Sequence, residues 1–319
     1  MAGALNPKAK SESIHQLHPA MNHGHGRYYC NYLDTMANHP HLSPEEIRHR
    51  TCLVTTTCYP DTNDIRLLCA VDLCRLAAQH NFQIFIIDDS PDEMVRRQLR
   101  GDDASLGEYV HAIRQDKAQY SGKGGALRQA IRMAAKWFRE NNIDADKSAI
   151  VFTEPEKTNI IEHVYEIVFP LLTGNTDVVV PARNDDLFRE TYPIEQYHSE
   201  SYGNFYFNLL ANQCGSFEWA TAEGPTKKLD WLFGPFAFKM NLANSWLQYE
   251  GTAWDAQMVP YVRGVRMNGW RITSVPINYR HSRDMKQQEE GDPIWVAKRL
   301  HQLNLLFDLL GKRELAPYS

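Results

Sequence analysis

Three short segments of this sequence carry residue types that can bind a charged, activated substrate. Asp88-Asp89-Ser90 follows the apolar run Phe82 to Ile87, and Glu154-Pro155-Glu156 follows the apolar run Ala149 to Phe152. Between them, Gly122-Lys123-Gly124-Gly125-Ala126-Leu127-Arg128 opens a helical pattern. Two adjacent carboxylates at the end of a buried strand cannot both be core. At least one of Asp88 and Asp89 therefore faces a ligand, a helix cap or water. In extended backbone, residues i and i+2 point the same way, so Glu154 and Glu156 share a face. As hard oxygen donors they suit Mg²⁺ or Mn²⁺, whose other positions are filled by water and phosphate oxygens. Pro155 stiffens that spacing. The alternative is a solvated acidic turn in which Lys157 pairs with either glutamate. The glycine turn offers helix-start N–H groups flanked by Lys123 and Arg128, which attract an anion; an ordinary turn with a solvated lysine is the other reading. It is not a dinucleotide fingerprint, because Leu127 stands where a third glycine is needed, and no P-loop pattern exists anywhere in the chain. Asp255, after Trp254, is either a helix cap or an acid or base on the acceptor side. His281 is either a surface histidine or a third metal ligand. Taken together, the set can hold a divalent cation, a diphosphate and a nucleoside, which points to an enzyme that uses an activated nucleotide.

Such residues must be positioned by strand ends, because ligands of open α/β sheets bind outside the carboxyl ends of the strands. The pattern from Thr51 onward alternates strand and helix. Strands are expected over Cys52–Thr57, Phe82–Ile87, Tyr109–Arg114, Ala149–Thr153 and Asp177–Pro181. Helices are expected from a cap at Asp61 to Gln79, from Pro91-Asp92 to Leu99, over Gly125–Glu140 and over Ile160–Leu172. In the first of these, Ile65, Leu68, Cys69, Leu73 and Leu76 form the expected inward face. Residues 253–268 read as a helix, Arg271–Tyr279 as a strand interrupted by Pro276, and Pro293–Gly311 as a terminal helix. Residues 183–230 give no clear period. The fold class is α/β with a mainly parallel, Rossmann-like sheet flanked by helices.

Composition narrows the partners. The formal net charge of −5 supplies no basic field for nucleic acid. No run of 18 apolar residues and no apolar segment in the first 30 residues is present, so neither a spanning helix nor a signal peptide is expected, and a cytoplasmic location is. The six cysteines form no C-x-x-C pair and read as free thiols. Residues 1–49 hold seven of the thirteen histidines and read as a flexible or loosely docked arm. A metal site at His23-Gly24-His25 and His39-Pro40-His41 is the competing reading, and Tyr28, Tyr29, Tyr32 and Leu33 are candidates to pin the arm. A single domain is expected over 50–319, with a nucleotide half at 51–181 and an acceptor half at 182–319.

The ordered segments Leu53–Thr57 with Tyr59-Pro60, Ile86–Asp92 and Gly122–Arg128 resemble the GT-A glycosyltransferase fold, and most of all family 2-like nucleotide-sugar transferases. Val275–His281 is also similar to that family's late strand. The family usually carries Asp-x-Asp where this chain has Glu154-Pro155-Glu156. The resemblance implies transfer of a sugar from a UDP- or GDP-linked donor to a hydroxyl of a small-molecule or lipid acceptor, with Mn²⁺ or Mg²⁺ on the diphosphate. It implies nucleotide contacts from Thr57, Asp88, Asp89, Lys123 and Arg128, metal ligation by Glu154, Glu156 and His281, and an acceptor-side catalytic role for Asp255. Aromatics from Tyr192 to Phe238 would then line an acceptor lid or form the core of the second half. The terminal helix, with Trp295, Lys298 and Arg299, packs on the domain or touches a membrane surface peripherally. Two alternatives are a nucleotidyltransferase making an activated sugar and a catalytically silent relative that binds a sugar nucleotide. The first wants a glycine-rich basic loop after the first strand, where this chain has Thr57-Cys58-Tyr59-Pro60-Asp61.

Overall fold

The computed structural model describes residues 42–101, 104–174, 176–213, 228–282 and 293–311. The chain divides into two compact units, Met1–Ser43 and Pro44–Ser319, and the sheet with its helices belongs to the second. The histidine pairs at 23/25 and 39/41, the tyrosines at 28, 29 and 32, Leu33, Phe217 and Trp219 lie outside the described residues. His49 does not: it ends the short helix α1 (Pro44–His49), whose Ile47 is fully buried.

Strands β1 (Thr51–Thr57), β2 (Gln83–Asp88), β3 (Val110–Arg114) and β4 (Ala149–Phe152) alternate with helices α2 (Ile65–Gln79), α3 (Glu93–Arg100) and α4 (Gly122–Glu140). Every residue of β1 is buried, as a central parallel strand covered on both faces requires. After α5 (Val164–Leu172) come β5 (Val178–Arg183), α6 (Asp185–Thr191), α7 (Ile194–Gln213), β6 (Phe236–Lys239), α8 (Asp255–Asn268), β7 (Ile272–Ile277) and α9 (Pro293–Gly311). The seven-stranded sheet runs β3-β2-β1-β4-β6-β5-β7, and only β6 is antiparallel to its neighbours. Thr57 sits opposite Asp88, and Val54 opposite Phe152, so the ends of β1, β2 and β4 emerge together.

Several sequence expectations change in detail. Asp64, not Asp61, caps α2, its carboxylate accepting the Arg66 N–H at 2.9 Å. The face of α2 toward the sheet is Leu67, Ala70, Leu73, Cys74 and Ala77, while Ile65 and Leu68 are 41% and 65% exposed. This helix is apolar on two sides, and the side with small residues lets it approach the sheet closely. The stretch 183–230 contains two helices, and β6 is a strand of four residues that the sequence pattern hides behind Gly234-Pro235. Pro276 is tolerated in β7 because β7 is an edge strand. Helix α9 covers α7, its Leu306, Leu309 and Leu310 buried. Among the described residues, no helix is long and apolar enough to cross a membrane.

Candidate active site

A cavity of about 570 Å³ opens where the strand ends converge. Thr57 from β1, Asp89 after β2, Glu154 and Glu156 after β4, Arg183 at the end of β5 and His281 after β7 all line it. The sheet order reverses between β1 and β4, the switch point at which α/β sheets form ligand crevices.

The two aspartates separate. Asp88 is 0% exposed and does not line the cavity. Its Oδ1 accepts the hydroxyls of Thr57 at 2.8 Å and Ser90 at 2.6 Å, and its Oδ2 accepts Arg96 Nη1 at 2.8 Å. Its side chain thus braces the β1 and β2 ends from within, and the base or ribose contact implied for it is not available. Asp89 faces the cavity and pairs with Lys117 at 2.7 Å. Thr57 lines the wall while its hydroxyl is committed to Asp88.

The glycine turn is shaped as much by packing as by ligand chemistry. Gly122 has a φ of +64°, and a Cβ there would lie 2.5 Å from the Thr252 carbonyl oxygen. A Cβ on Gly124 would lie 2.1 Å from the Gly251 carbonyl oxygen, and the Gly124 N–H donates to the Thr252 carbonyl at 3.0 Å. Arg128 Nη1 donates to the carbonyls of Tyr249 and Gly251, both at 2.6 Å, and Arg128 does not line the cavity. Its side chain orders the loop before α8. Lys123 does line the cavity and stands 3.5 Å from Glu154 Oε1.

Glu154 is paired with the buried Lys157 as well as with Lys123. Burial works against its charge, but Lys157, Lys123 and Lys298 outweigh burial and hold its carboxyl well below the usual range. Burial likewise opposes the Lys157 charge, and Glu154 overcomes it, raising the ammonium pKa. Gly234, at φ +104°, makes room: a Cβ there would lie 2.9 Å from Glu154 Oε2. The negative charge of Glu156 is felt by Lys157 too, and by Tyr59, Arg66 and Cys69. His281 is buried, and its Nδ1 lies 3.1 Å from the Ser282 carbonyl, an oxygen that can only accept. Among the described residues, no three His, Cys, Asp or Glu side chains converge as a metal-binding group. The expected set of Glu154, Glu156 and His281 is therefore not preassembled, and Glu154 is turned to Lys157 and Lys123.

Asp255 is the clearest departure. It is the first residue of α8 and does not line the cavity, although Trp254 does. Its carboxylate accepts the Tyr249 hydroxyl at 2.7 Å and the Ala253 N–H at 3.0 Å, which closes the loop before the helix. Of the second-half aromatics, Tyr192 and Phe233 reach the cavity, while Phe207, Trp231, Phe236 and Phe238 are core and Tyr202, Phe205 and Tyr206 are exposed.

Two groups of cavity residues escape a reading of the sequence. One is Gln196 and Glu200 of α7, which lie four apart on one helix face within an aperiodic stretch. The other is Trp295, Lys298, Arg299 and Gln302 of α9, whose spacing of three and four residues is legible as one face. Which way that face points is not.

No protein-family model and no curated protein matches the sequence. Solved structures do. A crystal structure described as that of a mycobacterial protein superposes with a TM-score of 0.52 at 15% identity, covering 85% of this chain and 80% of that one. Glucosyl-3-phosphoglycerate synthase from Mycobacterium tuberculosis, with Mn²⁺ and UDP-glucose, gives a TM-score of 0.50 at 14% identity over 85% of this chain and 84% of that one. The same enzyme with Mn²⁺, UDP-glucose and phosphoglyceric acid gives 0.50 at 14% identity, with 85% of each chain covered. The fold of this chain is thus the GT-A fold that its three ordered motifs resemble.

Proposed function

We propose that this chain is a glycosyltransferase that moves a sugar from a nucleoside diphosphate to a hydroxyl of a small-molecule or lipid acceptor. The observation that carries this reading is that one cavity at the sheet's switch point gathers three motifs separated in sequence, through Thr57 and Asp89, Lys123, and Glu154 with Glu156. Asp89 is then the carboxylate that accepts hydrogen bonds from a base or ribose. Lys123, together with Lys298 and Arg299 of α9, supplies the cations that a diphosphate needs on leaving water. The donor set suits a hard divalent cation. Glu154 is held ionised, and Glu156 and His281 line the same cavity. Fewer than three converging protein donors is how Mg²⁺ is commonly held, with substrate phosphates completing the shell. When bound, such a cation neutralises charge on the departing nucleoside diphosphate. Lys123, 39% exposed, can swing from Glu154 to a phosphate, whereas Lys157 is buried and stays.

The Mn²⁺ and UDP-glucose bound to the glucosyl-3-phosphoglycerate synthase structure support UDP-glucose as the first donor to try. The nucleotidyltransferase alternative finds no glycine-rich loop after β1. There the Tyr59 N–H donates to Ser90 Oγ at 2.8 Å, which pins the turn shut. The test is a thermal-shift titration with UDP, GDP, UDP-glucose and GDP-mannose, each with and without Mn²⁺. Binding to the native state raises Tm by mass action. The expected result is a Mn²⁺-dependent rise with one nucleotide and its sugar, followed by nucleotide release on turnover. No rise with any of them defeats the reading, and a rise without turnover favours a silent sugar-nucleotide binder.

A further inference from the structure

The wall of the cavity built by α7 is chemically unlike the wall built by the first half. Arg183, buried at the end of β5, donates through Nε to Asp230 Oδ2 at 2.7 Å and through Nη2 to Asp230 Oδ1 and Glu200 Oε2, both at 2.8 Å. Gln196 Nε2 donates to Glu200 Oε1 at 2.6 Å. Asn204 Nδ2 donates to Asp230 Oδ1 at 2.7 Å. One guanidinium thus faces two carboxylates, and each neighbouring amide donates an N–H to one of them. The oxygens of Gln196 and Glu200 are the acceptors that this wall offers. Gln196 is 7% exposed and lines the cavity, yet its Oε1 has no hydrogen-bond partner; Glu200, 5% exposed, lines the cavity beside it. A buried amide carbonyl left unpaired is costly, and a ligand hydroxyl relieves that cost.

We infer that Gln196 and Glu200 form a hydroxyl-binding subsite for an uncharged sugar or polyol moiety, and that this chain disfavours a phosphorylated or carboxylated group there. The inference rests on the glycosyl-transfer reading and adds to it the class of group held against α7. The charge count decides the sign. Asp230 and Glu200 exceed Arg183 by one negative charge, in a buried setting where such an excess repels anions strongly. The acceptor oxygens of Gln196 and Glu200 recognise donors, and sugar hydroxyls are uncharged donors. The Phe233 ring, whose centroid is 5.0 Å from the Arg183 guanidinium, adds an apolar surface against which a ring can rest.

The test uses saturation-transfer NMR on the full chain, with glucose, mannose, N-acetylglucosamine, glycerol and 3-phosphoglycerate as free probes. Wild type is compared with Gln196→Met, which keeps length and removes the acceptor. Glu200→Gln removes the surplus charge. Melting temperature and UDP affinity report that each variant is folded. The expected result is binding of at least one neutral probe by wild type, weakened roughly tenfold in Gln196→Met with UDP affinity unchanged. Binding of 3-phosphoglycerate is expected to be weaker than that of the neutral probe in wild type and to gain in Glu200→Gln. Repeating the experiment with saturating UDP-glucose separates the two sources. Loss of the neutral-probe signal assigns the subsite to the donor sugar, and its persistence assigns it to the acceptor. No neutral probe bound, equal signals in Gln196→Met, or tighter binding of 3-phosphoglycerate by wild type would each overturn the proposal. Failure of every nucleotide to bind strikes the glycosyl-transfer reading instead, and leaves the free-sugar comparison readable.

Discussion

Strands β2 and β4 flank β1 on opposite sides, and each delivers an acid next to a cation at its end. The two acids have opposite surroundings. Asp88 accepts three hydrogen bonds from Thr57, Ser90 and Arg96 and has no face on the cavity. Among the described residues, the Glu154 carboxylate is bound only by lysines, one of which is partly in solvent, and it lines the cavity. An acid satisfied on all sides by fixed donors is a brace. An acid whose counter-charges can be exchanged is available to a ligand. Position at a strand end does not distinguish them; the set of donors does.

Substitutions at the two acids put that contrast to the test. Asp88→Ala removes the buried carboxylate that Arg96, Thr57 and Ser90 share, leaving Arg96 to the exposed Glu93, and is expected to cost about 3 kcal/mol in urea denaturation. Nucleotide affinity per folded molecule should be unchanged; a selective loss of affinity at full stability would erase the contrast. Glu154→Gln is expected to cost about 2–3 kcal/mol through the unpaired Lys157, and also to remove the Mn²⁺-dependent part of nucleotide binding. Acid titration of stability refines this. The Glu154 pKa is lowered on folding, so its stabilisation is present above the unfolded value of 4.5 and is lost as pH falls through the folded one. The stability gap between wild type and Glu154→Gln should therefore be constant from about pH 5.5 to 8 and close only as pH falls below the unfolded value. Gly124→Ala drives a methyl into the Gly251 carbonyl and is expected to cost about 2 kcal/mol, measured by thermal melts, because its contact is with backbone. Asp255→Asn is the smallest expected effect, about 1 kcal/mol of stability from the weakened loop bonds, with kcat changed only a few-fold. A loss of kcat of about a hundredfold without loss of stability would restore to Asp255 the catalytic role implied by resemblance.

The first half of the fold is legible in the sequence because parallel strands buried on both faces are continuous apolar runs, and because Gly122–Arg128 and the two acid motifs stand at their ends. Inward faces are legible where one side of a helix is polar, as in α4, whose Leu127, Ile131, Ala134 and Phe138 are all buried. They are not legible in α2, which is apolar on two sides. The second half resists for a different reason. Helix α7 buries Gln196, Glu200 and Asn208 and exposes Tyr202, Phe205 and Tyr206, so hydropathy along it runs against burial. The partners that reverse it, Asp230 and Arg183, lie outside the helix, on the strand and loop it packs against. Arg128 and Asp255 show the same limit: their residue types fit the implied roles, but their directions are set by a loop more than a hundred residues from Arg128.

Strand β6 governs when a growing chain can complete its sheet. It lies between β4 and β5, pairing Phe152 with Phe236 and Val179 with Ala237, so the sheet has a gap until residues 236–239 leave the ribosome. The glycine turn waits longer still, for the carbonyls of Gly251 and Thr252. A nascent chain that already carries the three strand-end and glycine-turn motifs, from Thr57 to Glu156, therefore cannot yet close its binding cleft. Contacts this far apart in sequence fold slowly and leave β5 and the outer edge of β4 unpaired in the meantime. The segment whose pattern is easiest to read is thus not a unit that folds by itself, and a truncation after Arg183 should yield an aggregating fragment rather than a minimal nucleotide-binding domain.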